Sequence, residues 1–413
     1  MALRILFVAL IAVIVCSRSV ESSKDGVKLT GQFRSRGEFG ANDFNDNTPA
    51  NRSTLLRIRL NAAFQPGEKI STFVQLQDSR FYGAEPNTVW NFRNVDLHQA
   101  YLQIDDFFAK KLALKMGRMQ ISYAEERVIG SFDWHNVGRA FDGTLLRYAP
   151  SEMSMLDIFG TKVIQRADYE NPADSGFYFG GLYASHQPKE SYRVDIYILG
   201  EWNRRASGDQ GANLQRVTIG TYDTGKFNAV DYDMEAAVQF GTRYNSSTEE
   251  RQRISAFMLT GAVGYTVEAD YKPRIMLGYD YLSGGKPTDE NYHVFDALFA
   301  TNHTFYGFMD YFVNLPVHTE GGGLQDFMVK CQISPLRKMT LSVDIHKFMS
   351  AKRIMDKSSF GHEVDFTALY RYHDILNFTL GASFFLADEL MQSRFKGNDD
   401  QAFWAYLMTT ANF

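Results

Sequence analysis

Ala402-Phe403-Trp404-Ala405-Tyr406-Leu407-Met408-Thr409-Thr410-Ala411-Asn412-Phe413 alternates between two faces. Phe403, Ala405, Leu407, Thr409, Ala411 and Phe413 share one, with an aromatic ring at each end; Trp404, Tyr406, Met408, Thr410 and Asn412 share the other. A period of two is the signature of a strand. A tilted strand of about 10 residues with rings at both ends fits a hydrocarbon layer of roughly 25–30 Å. A last strand ending on Phe is an unpaired apolar edge unless another strand covers it, so the pattern predicts that this strand closes a barrel against the first one. An edge strand of a sandwich is the competing reading of this stretch by itself.

The same alternation recurs upstream. Lys28, Thr30, Gln32, Arg34, Arg36 and Glu38 oppose Leu29, Gly31, Phe33, Ser35, Gly37 and Phe39, and Arg57, Arg59 and Asn61 oppose Leu56, Ile58, Leu60, Ala62 and Phe64. A long polar stretch, 40–52, separates these two segments, whereas only Gln65-Pro66-Gly67-Glu68 follows the second. Long and short connections keep alternating to the end. Short ones are expected near 105–109, 150–152, 188–190, 225–228, 270–273, 335–337 and 373–374. Long ones are expected near 80–94, 121–139, 164–174, 201–213, 244–252, 283–322, 350–360 and 388–400. This rhythm gives an all-β fold: a transmembrane antiparallel up-and-down β-barrel of about 18 strands, with long extracellular loops and short periplasmic turns. The segment 305–312 does not alternate and is assigned to a loop.

Residues 1–23 combine Arg4, an apolar run from Ile5 to Val15 and a small-residue region from Ser17 to Ser23, the layout of a secretory signal peptide. Residues 24–413 then form one barrel domain, with no linker or change of composition. With Cys16 in the signal, Cys331 alone remains and no intramolecular disulfide can form. Aromatics make up 14% of the chain, with 22 Tyr and 33 Phe. Beyond the signal no apolar run reaches the about 18–20 residues a membrane helix requires, so the rings point to barrel girdles instead. A net charge of −5 and a pI near 6.0 argue against nucleic acid as a partner.

The most specific signal departs from plain alternation. It reads Gly117-Arg118-Met119-Gln120, then Glu125-Glu126-Arg127-Val128-Ile129-Gly130, then Asp133-Trp134-His135-Asn136-Val137-Gly138-Arg139-Ala140-Phe141-Asp142-Gly143. With Gln75-Leu76-Gln77-Asp78, His98-Gln99-Ala100-Tyr101, Phe305-Tyr306-Gly307-Phe308-Met309-Asp310 and Gly323-Leu324-Gln325-Asp326, it resembles the alginate export family of outer-membrane barrels over most of the mature chain. Met119 stands where that family commonly has Gln. The resemblance implies a barrel that passes a polymer or solute across the outer membrane, with basic residues holding a polyuronate by charge pairing. The motif residues it would carry over are Arg118, Arg127, Arg139 and Asp142.

Strand parity adds Arg34, Arg36, Arg57, Arg59, Lys115, Arg193, Arg216, Lys330 and Arg371 as inward-facing cations. It also turns Asp195, Asp231, Asp233, Glu235, Asp280, Asp344, Glu363 and Asp365 inward, so the field runs across the lumen rather than being uniformly positive. Two roles compete for these charges. They form either a lane for anionic solutes or mutual salt bridges and loop anchors that stiffen a wide lumen. Enzymatic readings have no support: the nine His show no metal-ligand spacing, and no nucleophile elbow or phosphate loop occurs. No cofactor is expected.

The sequence therefore reads as an outer-membrane channel, plugged in part by extracellular loops, that passes an anionic or polar carbohydrate by passive diffusion. Its expected partners are outer-membrane lipid and lipopolysaccharide, the saccharide, and a periplasmic export partner if transport is outward. A general small-solute porin fits the same frame, as does a structural or adhesive barrel binding a surface partner through loops such as 283–322.

Overall fold

The computed structural model describes residues 26–88, 94–165, 176–203, 213–245, 248–286 and 288–413. The signal segment 1–23, with Cys16, lies outside them. The alternating segments form strands β1 (Val27–Ala41), β2 (Asn51–Phe64), β3 (Ile70–Phe81), β4 (Val95–Ile104), β5 (Leu112–Met119) and β6 (Phe141–Ser151). They continue as β7 (Ser154–Gln165), β8 (Gly176–Lys189), β9 (Tyr192–Asn203), β10 (Leu214–Phe227), β11 (Val230–Asn245) and β12 (Glu250–Thr266). The last six are β13 (Arg274–Leu282), β14 (Leu324–Leu336), β15 (Met339–Ile354), β16 (Lys357–His373), β17 (Leu376–Ala387) and β18 (Gln401–Asn412).

Every strand pairs antiparallel with its chain neighbours, and β1 also pairs with β18, so the 18-stranded sheet closes on itself. At the seam Ser35 lies opposite Thr409 and Gly37 opposite Leu407. Gly31 and Phe413 exchange both backbone hydrogen bonds, at 2.6 and 3.0 Å. Closure leaves no strand edge, and satisfies every ladder from within the sheet.

The outward parity is apolar: Leu76, Ile158, Leu182, Ile198, Val238, Leu259, Leu277, Ile345 and Leu380 are all exposed there. Rings mark both ends of this band. Phe64, Tyr148, Tyr192, Phe227, Tyr265 and Tyr271 sit at the short-turn end, and Tyr178, Trp202, Phe240, Phe257, Phe327 and Phe384 toward the long-loop end. Such girdles are what the two interfaces of a bilayer select. No helix of the described residues is long and apolar enough to cross a membrane, so the crossing is made by strands. Gly117 adopts φ +126, and a Cβ there would meet the Ala100 carbonyl oxygen at 2.3 Å, so only glycine lets β4 and β5 approach at this point.

Two expectations are corrected. The long loop expected at 350–360 is absent: β15 and β16 run on to a two-residue turn, Met355-Asp356, both at positive φ (47 and 63). That geometry is the primed hairpin turn, and without Gly or Asn the pair carries little sequence signal. The connection expected at 244–252 shrinks in the same way, because β11 reaches Asn245 and β12 starts at Glu250. The lumen is plugged in part by extracellular loops, as expected, and the plug is largely apolar. The long-loop half of the lumen is packed with Phe44, Ile121, Val128, Ile129, Phe295, Phe305, Tyr306, Phe312 and Leu315 from loops folded inward, against Phe141, Phe159, Phe179, Phe348 and Phe385 from the wall. The loop 283–322, which the alternative of an adhesive barrel would use to bind a surface partner, is thereby largely buried.

Replacing Ser35→Cys together with Thr409→Cys should give a spontaneous disulfide, since directly opposed residues in an antiparallel pair lie about 4.5–5.5 Å apart. The cross-linked barrel should keep its folded migration in SDS on heating and lose it on reduction. A pair that stays reduced under oxidant would show that β1 and β18 are not neighbours.

Candidate functional site

Four arginines project into the lumen because they occupy the inward parity of β1 and β2, where Arg34 lies opposite Arg57. Four like charges side by side would repel each other, so something must meet them, and it is the loop 120–140 folded into the barrel. Arg34 donates to the Asp133, Trp134 and His135 carbonyls at 2.6, 3.2 and 3.0 Å. Arg57, fully buried, donates to the Asp133 carbonyl at 2.9 Å and its carboxylate at 2.9 Å. Arg59 donates to the other Asp133 oxygen at 2.6 Å and to the Val137 carbonyl at 3.2 Å. Arg36 donates to the Trp134 carbonyl at 2.9 Å, to Glu38 at 2.6 Å, and lies 3.9 Å from the centroid of the Trp134 ring.

Burial by itself would raise the Asp133 carboxyl, but the Arg57 and Arg59 guanidiniums outweigh it and hold the group at about 2. Burial, reinforced by Arg36 and Arg34, pushes the His135 imidazole below its usual range. Trp134 stacks face to face on His303 at 4.0 Å and meets Trp404 and Tyr406 edge-on at 6.0 and 5.1 Å. The inward face of β18 is thus committed to packing this loop.

The other side of the loop is held by the opposite charge. Arg127 donates to Asp280 of β13 at 2.6 Å with both side chains buried, and its guanidinium lies 4.0 Å from the Phe305 ring centroid. Burial opposes the charge on Arg127, but the Asp280 carboxylate overcomes it and raises the pKa. Arg139 donates to the carbonyls of Gly130 and Phe299, tying the 120–140 loop to the 283–323 loop. Burial lowers Arg139 to about 10 against the raising effect of Glu126. The two loops run parallel at Ile129 and Phe299, with Gly130 N donating to Phe299 O at 2.8 Å and Phe299 N to Val128 O at 3.0 Å. Glu363 of β16 accepts Met309 N at 2.8 Å, which fastens the longer loop to the acidic wall.

The remaining inward cations are mostly neutralised where they stand. Arg193 pairs with Asp195 at 2.7 Å, Lys330 with Asp344 at 2.9 Å, and Arg216 with Glu201 and with Asp296 of the long loop at 2.6 and 2.9 Å. Lys115 lies over the Tyr101 ring at 4.5 Å, and Arg371 is exposed near the short-turn end. Arg118 and Asp142 stand apart from all of these. They pair with each other at 2.9 Å, but on the outward parity, in line with Met116 and Tyr148. Their motif lies at a strand end, where Gly117 and the following loop hide the alternation.

Strand parity turns Asp280 and Glu363 inward without marking them as anchors and does not reach Asp133 and Asp296, yet each of the four anchors a loop. Asp133 sits within the Asp-Trp-x-Asn motif, but parity says nothing about a loop residue, and its partners are more than 70 positions away.

The sequence matches the profile of the alginate export family over residues 26–403, and the chain belongs to that family. A search of curated proteins found no match. Among solved structures it is similar to OccK11 (OpdR) of Pseudomonas aeruginosa, with a TM-score of 0.62 and 10% identity, covering 94% of this chain and 96% of that one. It is also similar to OccAB4 of Acinetobacter baumannii (TM-score 0.61, 13% identity, 94% and 99% covered). A third likeness is to OpdK of Pseudomonas aeruginosa, determined with vanillate (TM-score 0.59, 10% identity, 94% and 98% covered). At these identities the likeness concerns the fold, a porin-type barrel of the outer membrane. Long loops are therefore extracellular and short turns periplasmic.

Arg127→Ala should destabilise docking of the 120–140 loop by about 3–5 kcal/mol, because Asp280 is left buried and unpaired. Arg127→Met combined with Asp280→Leu should recover much of that loss, and limited proteolysis of the loop reads both. The Asp133 anchor responds to acid with a definite sign. Its folded pKa is depressed to about 2, so its contribution is complete above the unfolded value of about 3.9 and is lost as pH falls through about 2. Loop protection should hold in Asp133→Glu and fall at neutral pH in Asp133→Asn.

Proposed function

We propose that this barrel is a passive outer-membrane channel for an anionic or polar carbohydrate, and that it favours hydroxyl-rich chains over charge-dense polyuronates. The observation that carries this reading is a pocket of about 470 Å³ at the periplasmic end of the lumen, where Thr30, Gln32, Arg59, Asn61, Gln75 and Asn412 line one side and Gly31, Ile375 and Phe413 form an apolar rim. Its polar groups form a ladder. Asn61 donates to Thr30 Oγ1 at 2.9 Å, Gln75 to Asn61 at 2.8 Å, and Gln32 to Asn412 at 3.0 Å. Amides supply donors and acceptors together, which is what a sugar hydroxyl needs, and the size falls in the range of pockets that hold a small ligand.

Charge supports the polar end of that range. Arg34, Arg36, Arg57 and Arg59 spend their donors on the 120–140 loop and on Gln32, Glu38 and Gln77 of the wall, and Arg193, Arg216 and Lys330 each face a carboxylate. Among the described inward cations, Lys28, Lys115 and Arg371 are left for an anionic solute to draw on. Export would further require a periplasmic partner at the short-turn end, and residues 1–23 would serve as the secretory signal that brings the chain to the envelope.

A general small-solute porin is the second reading, and the packed extracellular half of the lumen favours it by narrowing the route. An adhesive role through the 283–323 loop is disfavoured, since Phe295, Tyr306 and Phe312 of that loop are buried inside the barrel.

Planar-bilayer recording tests the proposal. The barrel should conduct, neutral oligosaccharides should block it at least as well as oligouronates, and Asn61→Trp should lower both conductance and block. Oligouronate block stronger by about tenfold, or about 1.4 kcal/mol, would return the assignment to a charge-driven polyuronate channel. Equal indifference to both sugars would leave the general porin.

A further inference from the structure

Outside the lumen, the wall built by β7, β8 and β9 carries an apolar groove of about 750 Å³. Its walls are Ile158, Leu182 and Ile198, exposed by 46, 40 and 43%, and Trp202, whose indole lies over Gly200. Gly160, Gly180 and Gly200 are register partners across the three strands and form its floor. A Cβ at Gly160 would meet nothing within 4 Å, so the space above the floor is open.

The extracellular end of the groove is charged. Asp142 and Lys162 line it, as opposed residues of β6 and β7. Arg118 of β5 donates to Asp142 at 2.9 Å, and the Lys162 ammonium lies 5.6 Å from the Tyr178 ring centroid. Two cations therefore flank one carboxylate on the lipid-facing side, at the level of the outer leaflet, a position that no solute passing through the lumen reaches.

We propose that this groove binds the phosphorylated glycolipid of the outer leaflet, the lipid A portion of lipopolysaccharide. One saturated acyl chain lies along the glycine floor between Ile158 and Ile198, and a phosphate sits on Lys162 and Arg118. Complementarity of charge selects this occupant. A phosphomonoester carries about −1.5 to −2 charge and three acceptor oxygens, enough to engage the Lys162 ammonium over the Tyr178 ring and the Arg118 guanidinium already paired with Asp142. The groove supplies a shape for one chain, but a chain that moves into it from the bilayer leaves no water behind, so the phosphate contact sets the selectivity. On this assignment Arg118 and Asp142 of the family motif face the membrane and not the transported solute. The proposal rests on the outer-membrane placement of the barrel and is independent of which solute the lumen passes.

Native mass spectrometry of the full barrel in detergent, with lipid A, dephosphorylated lipid A or phosphatidylglycerol added, tests this directly. The wild-type barrel should retain lipid A at least about tenfold better than either other lipid. Lys162→Glu should abolish the preference, and Gly160→Leu should weaken retention of lipid A while leaving single-channel conductance unchanged. Folding of each variant is checked by heat-modifiable migration in SDS; Lys162→Ala replaces Lys162→Glu if that fails to fold, and Gly160→Val replaces Gly160→Leu. Equal retention of phosphatidylglycerol overturns the headgroup assignment, and undiminished lipid A binding by folded Gly160→Leu overturns the groove. A changed conductance in Gly160→Leu with intact lipid A binding would likewise count against a role confined to the outer wall.

Discussion

One loop carries charges of opposite sign to opposite walls of the barrel, and the interior is arranged around that fact. Asp133 meets the arginines of β1 and β2, while Arg127 meets Asp280 of β13. Neither wall could hold its charges unpaired at that depth, because a buried ion without a partner costs several kcal/mol. The uneven distribution of cations and carboxylates around the sheet is therefore matched by the loop between them. Breaking either contact exposes a charge that the wall cannot solvate, so the brace and the walls depend on each other.

A second consequence is a division of the lumen along its axis. The extracellular half resembles the core of a soluble protein, with Tyr123 stacked on Tyr183 at 3.9 Å and Phe312 against Phe348 at 4.6 Å. The periplasmic half keeps amides and hydroxyls together with ion pairs of adjacent residues. Solute selection and loop anchoring thus fall to different sets of residues, and the motif that identifies the family belongs mainly to the anchoring set.

Strand periodicity made the barrel legible, because a closed sheet in lipid requires alternation at every crossing and Phe403 to Phe413 shows it plainly. The inward positions of Arg34, Arg57, Arg193 and Lys330 follow from the same rule. What parity cannot reach is a residue on a loop, so it places the partners of Asp133 and Asp296 but not those two carboxylates themselves. Nor can it distinguish a lumen filled with water from one filled with loops, since Phe305 and Phe312 read as an irregular segment until the wall residues facing them are known. Arg118 and Asp142 were misleading for a further reason: a charge on the outward parity at the rim of a strand looks like a mouth residue in sequence. Met355-Asp356 shows the limit of turn chemistry, with two left-handed residues and no glycine to announce them.

The seam between β1 and β18 joins residues such as Gln32 and Asn412, 380 positions apart. Every other strand pairing is between neighbours in the chain and can form locally, as hairpins do. The closing contact alone must overcome the loop entropy of nearly the whole polypeptide, although that entropy grows only with the logarithm of length. Kinetically, the cylinder is a string of fast local events awaiting one distant encounter, and until it occurs both margins of the sheet remain open to pairing with any other strand they meet.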